Sequence, residues 1–305
     1  MSKNNIFDFD SDIELEYIIR CAGTLMTGGL HYGMFRSVVN HLGSKEQVDY
    51  YEPLIKEFRI QGCYAQTEIG HGSDVSSLET IADYDTVKDH FVVNSPTLTS
   101  GKFWPGELGK TATHAVFHAK LVINGKKYGV HAFIAQIRDL DTHRPLPGLE
   151  IGDIGPKGGY QAKDNGYMYF KNFRVSRSAL LNKYVNVDRN GKFTSKGDPR
   201  FAYATMMITR IGIVEACYYN QLKALVIATR YSTLRTQFKT INNGVVERKL
   251  IDYQSQQAAL IPILAFAFSG KFMKHRLFNL YQELMNRINK NQDFSLMKEL
   301  HSICS

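Results

Sequence analysis

A chain of 305 residues, 44% of them apolar, exceeds the usual size of a single core, so two or three domains are expected. Its 37 Lys and Arg against 29 Asp and Glu give a net charge of +8, which suits an anionic ligand, and no dense basic run interleaved with aromatics points to nucleic acid. The scattered cysteines Cys21, Cys63, Cys217 and Cys304 form no CxxC pair, which speaks against a zinc site or a secreted disulfide framework, and the longest apolar run, Ala258 to Phe268, is too short to span a bilayer. Met1 to Ser11 is polar and acidic without a secretory h-region, and a soluble protein is expected.

From Asp12 to about Phe58 the pattern is helical. Ser44 followed three residues later by Gln47 is a capping-box signature, and Val48, Tyr51 and Leu54 recur on one face, so a helix should start at Lys45 or Glu46. From Cys63 to about Leu181 the periodicity changes to short strands. Phe91 to Val93 reads as a strand between two loop-like stretches, Cys63 to Asp74 and Asn94 to Lys110, whose Gly, Ser, Thr and single aromatics can grip a polar planar ring or a phosphate. His114 to Ile123 and Tyr128 to Ile137 flank Asn124-Gly125, the dipeptide of a type I′ hairpin. The second of these strands is apolar on both faces and should be central in a barrel or covered on each side. A further strand is expected at Tyr167 to Phe170, closing near Phe173 to Val175.

Asn182 to Arg200, rich in Asp, Asn, Gly and Pro, reads as a polar connection. A long helix from about Phe201 to Leu234 places Met207, Ile211, Val214, Tyr218, Leu222 and Leu225 on one seam. A second, from about Leu250 to Lys290, offers Leu260, Leu264 and Phe268, then Leu277, Leu280 and Leu284, with Pro262 expected to kink its early turns. A third begins near Phe294.

The pieces LHYGMF, CYAQTEIGHGSD, NSPTLTSGKFWPGELGKT, HAFIAQIRDLDTHRPLPGLEIGDIGPKGGY and DNGYMYFKNFRV, which together span roughly Leu30 to Val175 without an obvious gap, resemble the acyl-CoA oxidases, the peroxisomal branch of the acyl-CoA dehydrogenase superfamily. The resemblance implies an α+β multidomain fold of acyl-CoA dehydrogenase type. Residues 1–61 would form a partial N-terminal helical domain, 62–181 a middle β-barrel domain with flavin-binding loops, 182–200 a connection, and 201–305 a partial C-terminal helical bundle. It also implies an oxidoreductase with FAD as cofactor, a fatty acyl-CoA and O₂ as partners, trans-2-enoyl-CoA and H₂O₂ as products, a homodimer when complete, and a peroxisomal location, although no targeting signal is present in this chain.

By the same resemblance Thr67 hydrogen-bonds the flavin ring, Gly106 contacts it and Trp104, the sole tryptophan, packs beside it. Residue by residue, a Thr at a strand end and a Gly after Pro are ordinarily turn residues. Tyr231, Arg235 and Phe238, followed by Tyr253 and Gln254, resemble the superfamily's YxxxRxxF and FQ pattern, in which the arginine meets the FAD diphosphate of a neighbouring subunit; a helix C-terminal cap is the competing reading. The family's base, a glutamate in an EGEN-like sequence, would lie beyond Ser305, so no catalytic residue is assigned here, the chain by itself is expected to be inactive, and Glu68, Glu79 and Glu215 match no catalytic position. No metal is expected. Three departures stand out: Phe103 replaces a usual Trp, Gly159 replaces a larger apolar residue, and Glu107 replaces a usual Gly and sets a negative charge beside the flavin loop. Two other functions compete: a dehydrogenase that passes electrons to a partner protein, and a non-catalytic FAD- or CoA-binding assembly subunit.

Overall fold

The computed structural model describes residues 29–196, 200–239, 246–291 and 293–304. The helical pattern expected from Asp12 is therefore assessed from Gly29 onward; residues 12–28 and Cys21 lie outside the described residues. The chain divides into two compact units, residues 1–198 and 199–305.

The first unit opens with α1 (His31–Arg36, wide π-type turns), which continues as α2 (Ser37–Leu42), and with α3 (Lys45–Lys56). The capping box starts α3 where the sequence places it: Ser44 accepts from the Gln47 N–H and Gln47 accepts from the Ser44 N–H. Gln47 also reaches away from its helix, donating to the Ser178 and Leu180 carbonyls and accepting from the Asn182 N–H, so one cap pins α3 to the far end of the unit.

Then come β1 (Gly62–Ala65), β2 (Ile81–Asp85), β3 (His90–Asn94), β4 (Lys102–Phe103), β5 (His114–Ile123), β6 (Lys126–Gln136), β7 (Leu149–Asp153), β8 (Gly166–Phe170) and β9 (Phe173–Ser176). The curled six-stranded sheet runs β1-β5-β2-β3-β9 with β6 on the other side of β5, and β4-β8-β7 form a second sheet. Both contribute to one core, which includes Phe91, Phe117, Phe133, Met168 and Phe170. The β5–β6 turn has φ of 50° at Asn124 and 76° at Gly125, as a type I′ turn requires.

The strand at the centre is β5, not β6: β5 pairs parallel with β1 and β2 along one edge and antiparallel with β6 along the other. β6 is instead covered on each side. Its Phe133 and Ala135 enter the sheet core, and its Ala132 and Ile134 pack with Phe35, Val38 and Ile55 of the helices. Burial on both faces accounts for the unbroken apolar run. Within the stretch read as a connection, β10 (Val185–Val187) and β11 (Phe193–Ser195) form a hairpin that buries Val187.

In the second unit α4 (Arg200–Leu234) is followed by the hairpin β12 (Thr236–Lys239) and β13 (Glu247–Lys249), then α5 (Gln254–Asn291) and α6 (Ser295–Cys304). Met207 and Ile211 of α4 meet Leu277, Leu280 and Leu284 of α5, and Leu300 of α6 closes the cluster. The early seam residues of α5 are misplaced by sequence spacing. Leu264 and Phe268 are 44% and 58% exposed, and Ala267 is the buried residue of that stretch. α5 is assigned as unbroken through Pro262. No helix among the described residues is long and apolar enough to cross a membrane.

Candidate functional site

The two loops that the sequence singles out are joined in the first unit by a short antiparallel bridge between Glu68 and Lys102. The Phe103 N–H donates to the Thr67 carbonyl at 3.1 Å, and the Ile69 N–H donates to the Gly101 carbonyl at 3.0 Å. Thr67 therefore lies against the start of the Phe103 to Gly106 turn. Its half-buried hydroxyl has no hydrogen-bond partner among the described residues. Phe103 and Trp104 beside it are 40% and 60% exposed, so Trp104 is not a core tryptophan. An unengaged hydroxyl next to two open aromatic faces can hold the edge and plane of a heteroaromatic ring.

Beneath this face lies a charge cluster that sequence reasoning missed. Glu68 and Lys102 are both fully buried and pair at 2.9 Å. The Lys102 ammonium also donates to the Gln66 and His118 carbonyls, and Glu68 accepts from the Thr80 hydroxyl and from the Thr80 and Glu79 N–H groups. Burial pulls Lys102 down to about 8 against the pull of Glu68, so it remains cationic at neutral pH. Burial pushes the Glu68 carboxyl up, but Lys102 and the donated hydrogen bonds outweigh it and hold Glu68 below the ordinary carboxylate range. Strand patterns could not signal a buried lysine, because lysines ordinarily lie outside.

Gly106 is buried, and the space a Cβ would take is filled by the protein: Lys163 Cε would lie at 2.5 Å and Leu30 Cδ1 at 2.7 Å. A hold on a ligand at Gly106 would thus run through its backbone and not through an open cradle left by the missing side chain. Glu107 does not present the bare charge that the sequence suggests. It is fully buried and ion-paired with Lys163. The next residues template the same loop: Asp164 accepts from the Lys110 and Thr111 N–H groups, Asn165 donates to the Trp104 carbonyl at 2.7 Å, and the Gly166 N–H donates to the Pro105 carbonyl at 3.0 Å. The motif DNGYMYF thus backs the loop from Trp104 to Thr111, a role the sequence reading did not give it.

Glu79 and Glu215 are engaged as well. Glu79 accepts from the Thr97 and Thr99 hydroxyls, which hold it below its ordinary range, and Glu215 pairs with Lys274. Glu68, His71 and Glu79 bring three ligand atoms within 4.8 Å of one another, but the Lys102 ammonium already supplies the cation at Glu68. Open space surrounds Gly159.

Thr67, Trp104 and Gly106 thus share one loop cluster. Arg235 lies in the second unit, directly after α4, where its N–H bonds the Tyr231 carbonyl and its own carbonyl accepts from Leu250. Its exposed guanidinium makes no ion pair or hydrogen bond among the described residues, so it does not act as a side-chain cap.

A family model described as the acyl-CoA oxidase C-alpha1 domain matches residues 203–305. The chain is 43% identical over 277 residues to the putative peroxisomal acyl-coenzyme A oxidase 1.2 of Arabidopsis thaliana, covering 90% of this chain and 41% of that protein. It is 40% identical over 291 residues to peroxisomal acyl-coenzyme A oxidase 2 of Oryctolagus cuniculus, covering 95% and 42%. Among solved structures, acyl-CoA oxidase-2 of Caenorhabditis elegans, bound with FAD, ascaroside-CoA and ATP, matches with a TM-score of 0.93 at 36% identity, over 99% of this chain and 46% of that one. Acyl-CoA oxidase 1 of A. thaliana matches with a TM-score of 0.90 at 39% identity, over 96% and 45%. The chain spans less than half the length of these relatives.

Proposed function

We propose, for a chain that belongs with the acyl-CoA oxidases in sequence and in fold, that the whole protein oxidises a fatty acyl-CoA to the trans-2-enoyl-CoA in peroxisomal β-oxidation, with O₂ as acceptor and H₂O₂ as product. The observation that carries this reading is the unengaged Thr67 hydroxyl beside the open Phe103 and Trp104 rings, which fits a flavin. FAD, when bound, supplies the hydride acceptor that no side chain can provide. Thr67 would hold the edge of its ring, Phe103 and Trp104 would cover the ring, Gly106 would contribute backbone, and Arg235 would take the diphosphate of a neighbouring subunit's FAD through its guanidinium.

The net charge of +8 suits the phosphates of CoA. None of Glu68, Glu79 and Glu215 is assigned as the base, because each is held by the partners described above. A homodimer is part of the reading. Ile261, Phe266, Phe268 and Phe272 expose an apolar stretch of α5, which supports a subunit contact there.

The test is product detection under air. The whole protein should purify yellow and release peroxide in step with loss of a fatty acyl-CoA. Turnover that requires an added electron-acceptor protein would assign a dehydrogenase instead, and a colourless protein that binds acyl-CoA without turnover would assign a binding subunit.

A further inference from the structure

We propose that the buried Lys102–Glu68 ion pair, braced by Thr80, is the positioning element of the flavin face and fixes the Thr67 hydroxyl against the Phe103–Trp104 turn. The inference rests on the flavin reading above. Thr67 is flanked by Gln66 and Glu68, and one ammonium holds both: Lys102 Nζ lies 3.2 Å from the Gln66 carbonyl and 2.9 Å from Glu68 Oε1. A third bond, 2.7 Å to the His118 carbonyl, ties the same group to the central strand β5. Lys102 is itself the residue before Phe103. One cation thus fixes three stretches of backbone around the presented hydroxyl.

Stability alone does not explain charges at this place. Two fully buried side chains give up their hydration, and a well-packed apolar pair of similar volume serves stability as well or better. What charge adds is direction, because an ammonium with three acceptors and a carboxylate with four donated bonds tolerate one arrangement of the loops. Neither group reaches the open face. Both are positioning residues, not catalytic ones.

The test is a double-mutant cycle on FAD affinity in the apoprotein, read by quenching of Trp104, with thermal melting followed in parallel. Thr67→Ala alone should weaken FAD by roughly five- to tenfold, the worth of one hydrogen bond. Glu68→Gln alone should weaken it by at least that much. In the Glu68→Gln background, Thr67→Ala should add less than about twofold, because the hydroxyl is no longer held in place. A role confined to stability leaves the Thr67→Ala penalty undiminished in both backgrounds, and that result, or native FAD affinity in Glu68→Gln, overturns the proposal. Should Glu68→Gln fail to fold, Thr80→Val takes its place in the cycle with the same reading, since it removes the hydroxyl bonds to Glu68 at 2.5 Å and to the Ser100 carbonyl at 3.2 Å and leaves the Lys102–Glu68 pair itself in place. Failure of the unaltered protein to bind FAD would overturn the flavin reading and the positioning role with it, whereas additivity in a protein that binds FAD overturns the positioning role alone.

Discussion

Lys163 supports the Gly106–Glu107 loop in two ways. Its aliphatic stem occupies the room that Gly106 leaves, and its ammonium neutralises the buried Glu107. Lys163→Met should cost about 3–5 kcal/mol, because it strands a buried carboxylate, while Glu107→Gln combined with Lys163→Met should cost clearly less than either change alone. Denaturant unfolding of the three variants checks this. Glu107 was legible as a charge in the loop, but its partner stands 56 residues away, and no local pattern joins the two. Four histidines add a pH dependence. Burial lowers His114 to about 4 and His118 to about 3, and it lowers His31 and His131 as well. Depressed bases bind fewer protons folded than unfolded, so the stability of the neutral forms is complete above about pH 6.5 and is lost as pH falls toward their folded values. Each can remove up to about 1.4 kcal/mol per pH unit in that window, so the denaturant midpoint should drop steeply between pH 7 and pH 5, and a flat profile would contradict the burial.

At the scale of elements, the local signals performed best where backbone chemistry alone decides. The Ser44–Gln47 box and the Asn124-Gly125 turn fall where the sequence sets them, because capping and positive φ depend on neighbouring residues only. Gln47 does more than cap, however. Gln47→Ala should cost about 2–4 kcal/mol, against about 1 kcal/mol for an ordinary cap, because it also loses the bonds to Ser178, Leu180 and Asn182, and thermal or chemical unfolding of the variant measures the difference. Where tertiary pairing decides, the sequence was silent. β6 could be recognised as doubly covered, but the central place of β5 follows from its parallel partners β1 and β2, which lie far from it in the chain. The seam of α5 was displaced for a related reason. Ile261, Ile263, Phe266 and Phe268 make its early turns apolar on several sides, and spacing does not say which stripe faces inward.

For the molecule as a whole, the loops that carry the candidate site were legible as a resemblance, while their support was not. Thr67 and Trp104 stand in recognisable motifs, whereas Lys102, Thr80, Lys163 and Asn165 act through contacts that only the folded chain creates. The face of Thr67, Phe103 and Trp104 is the one proposed to hold a flavin, and Trp104 is its reporter, because these 305 residues contain no other tryptophan. The most direct measurement is a titration of the apoprotein with FAD, followed by the fluorescence of Trp104. Saturable quenching is expected, reaching its end point at one FAD per chain and weakening in Thr67→Ala. FAD binding that leaves the Trp104 emission unchanged, or no binding at all, would contradict it.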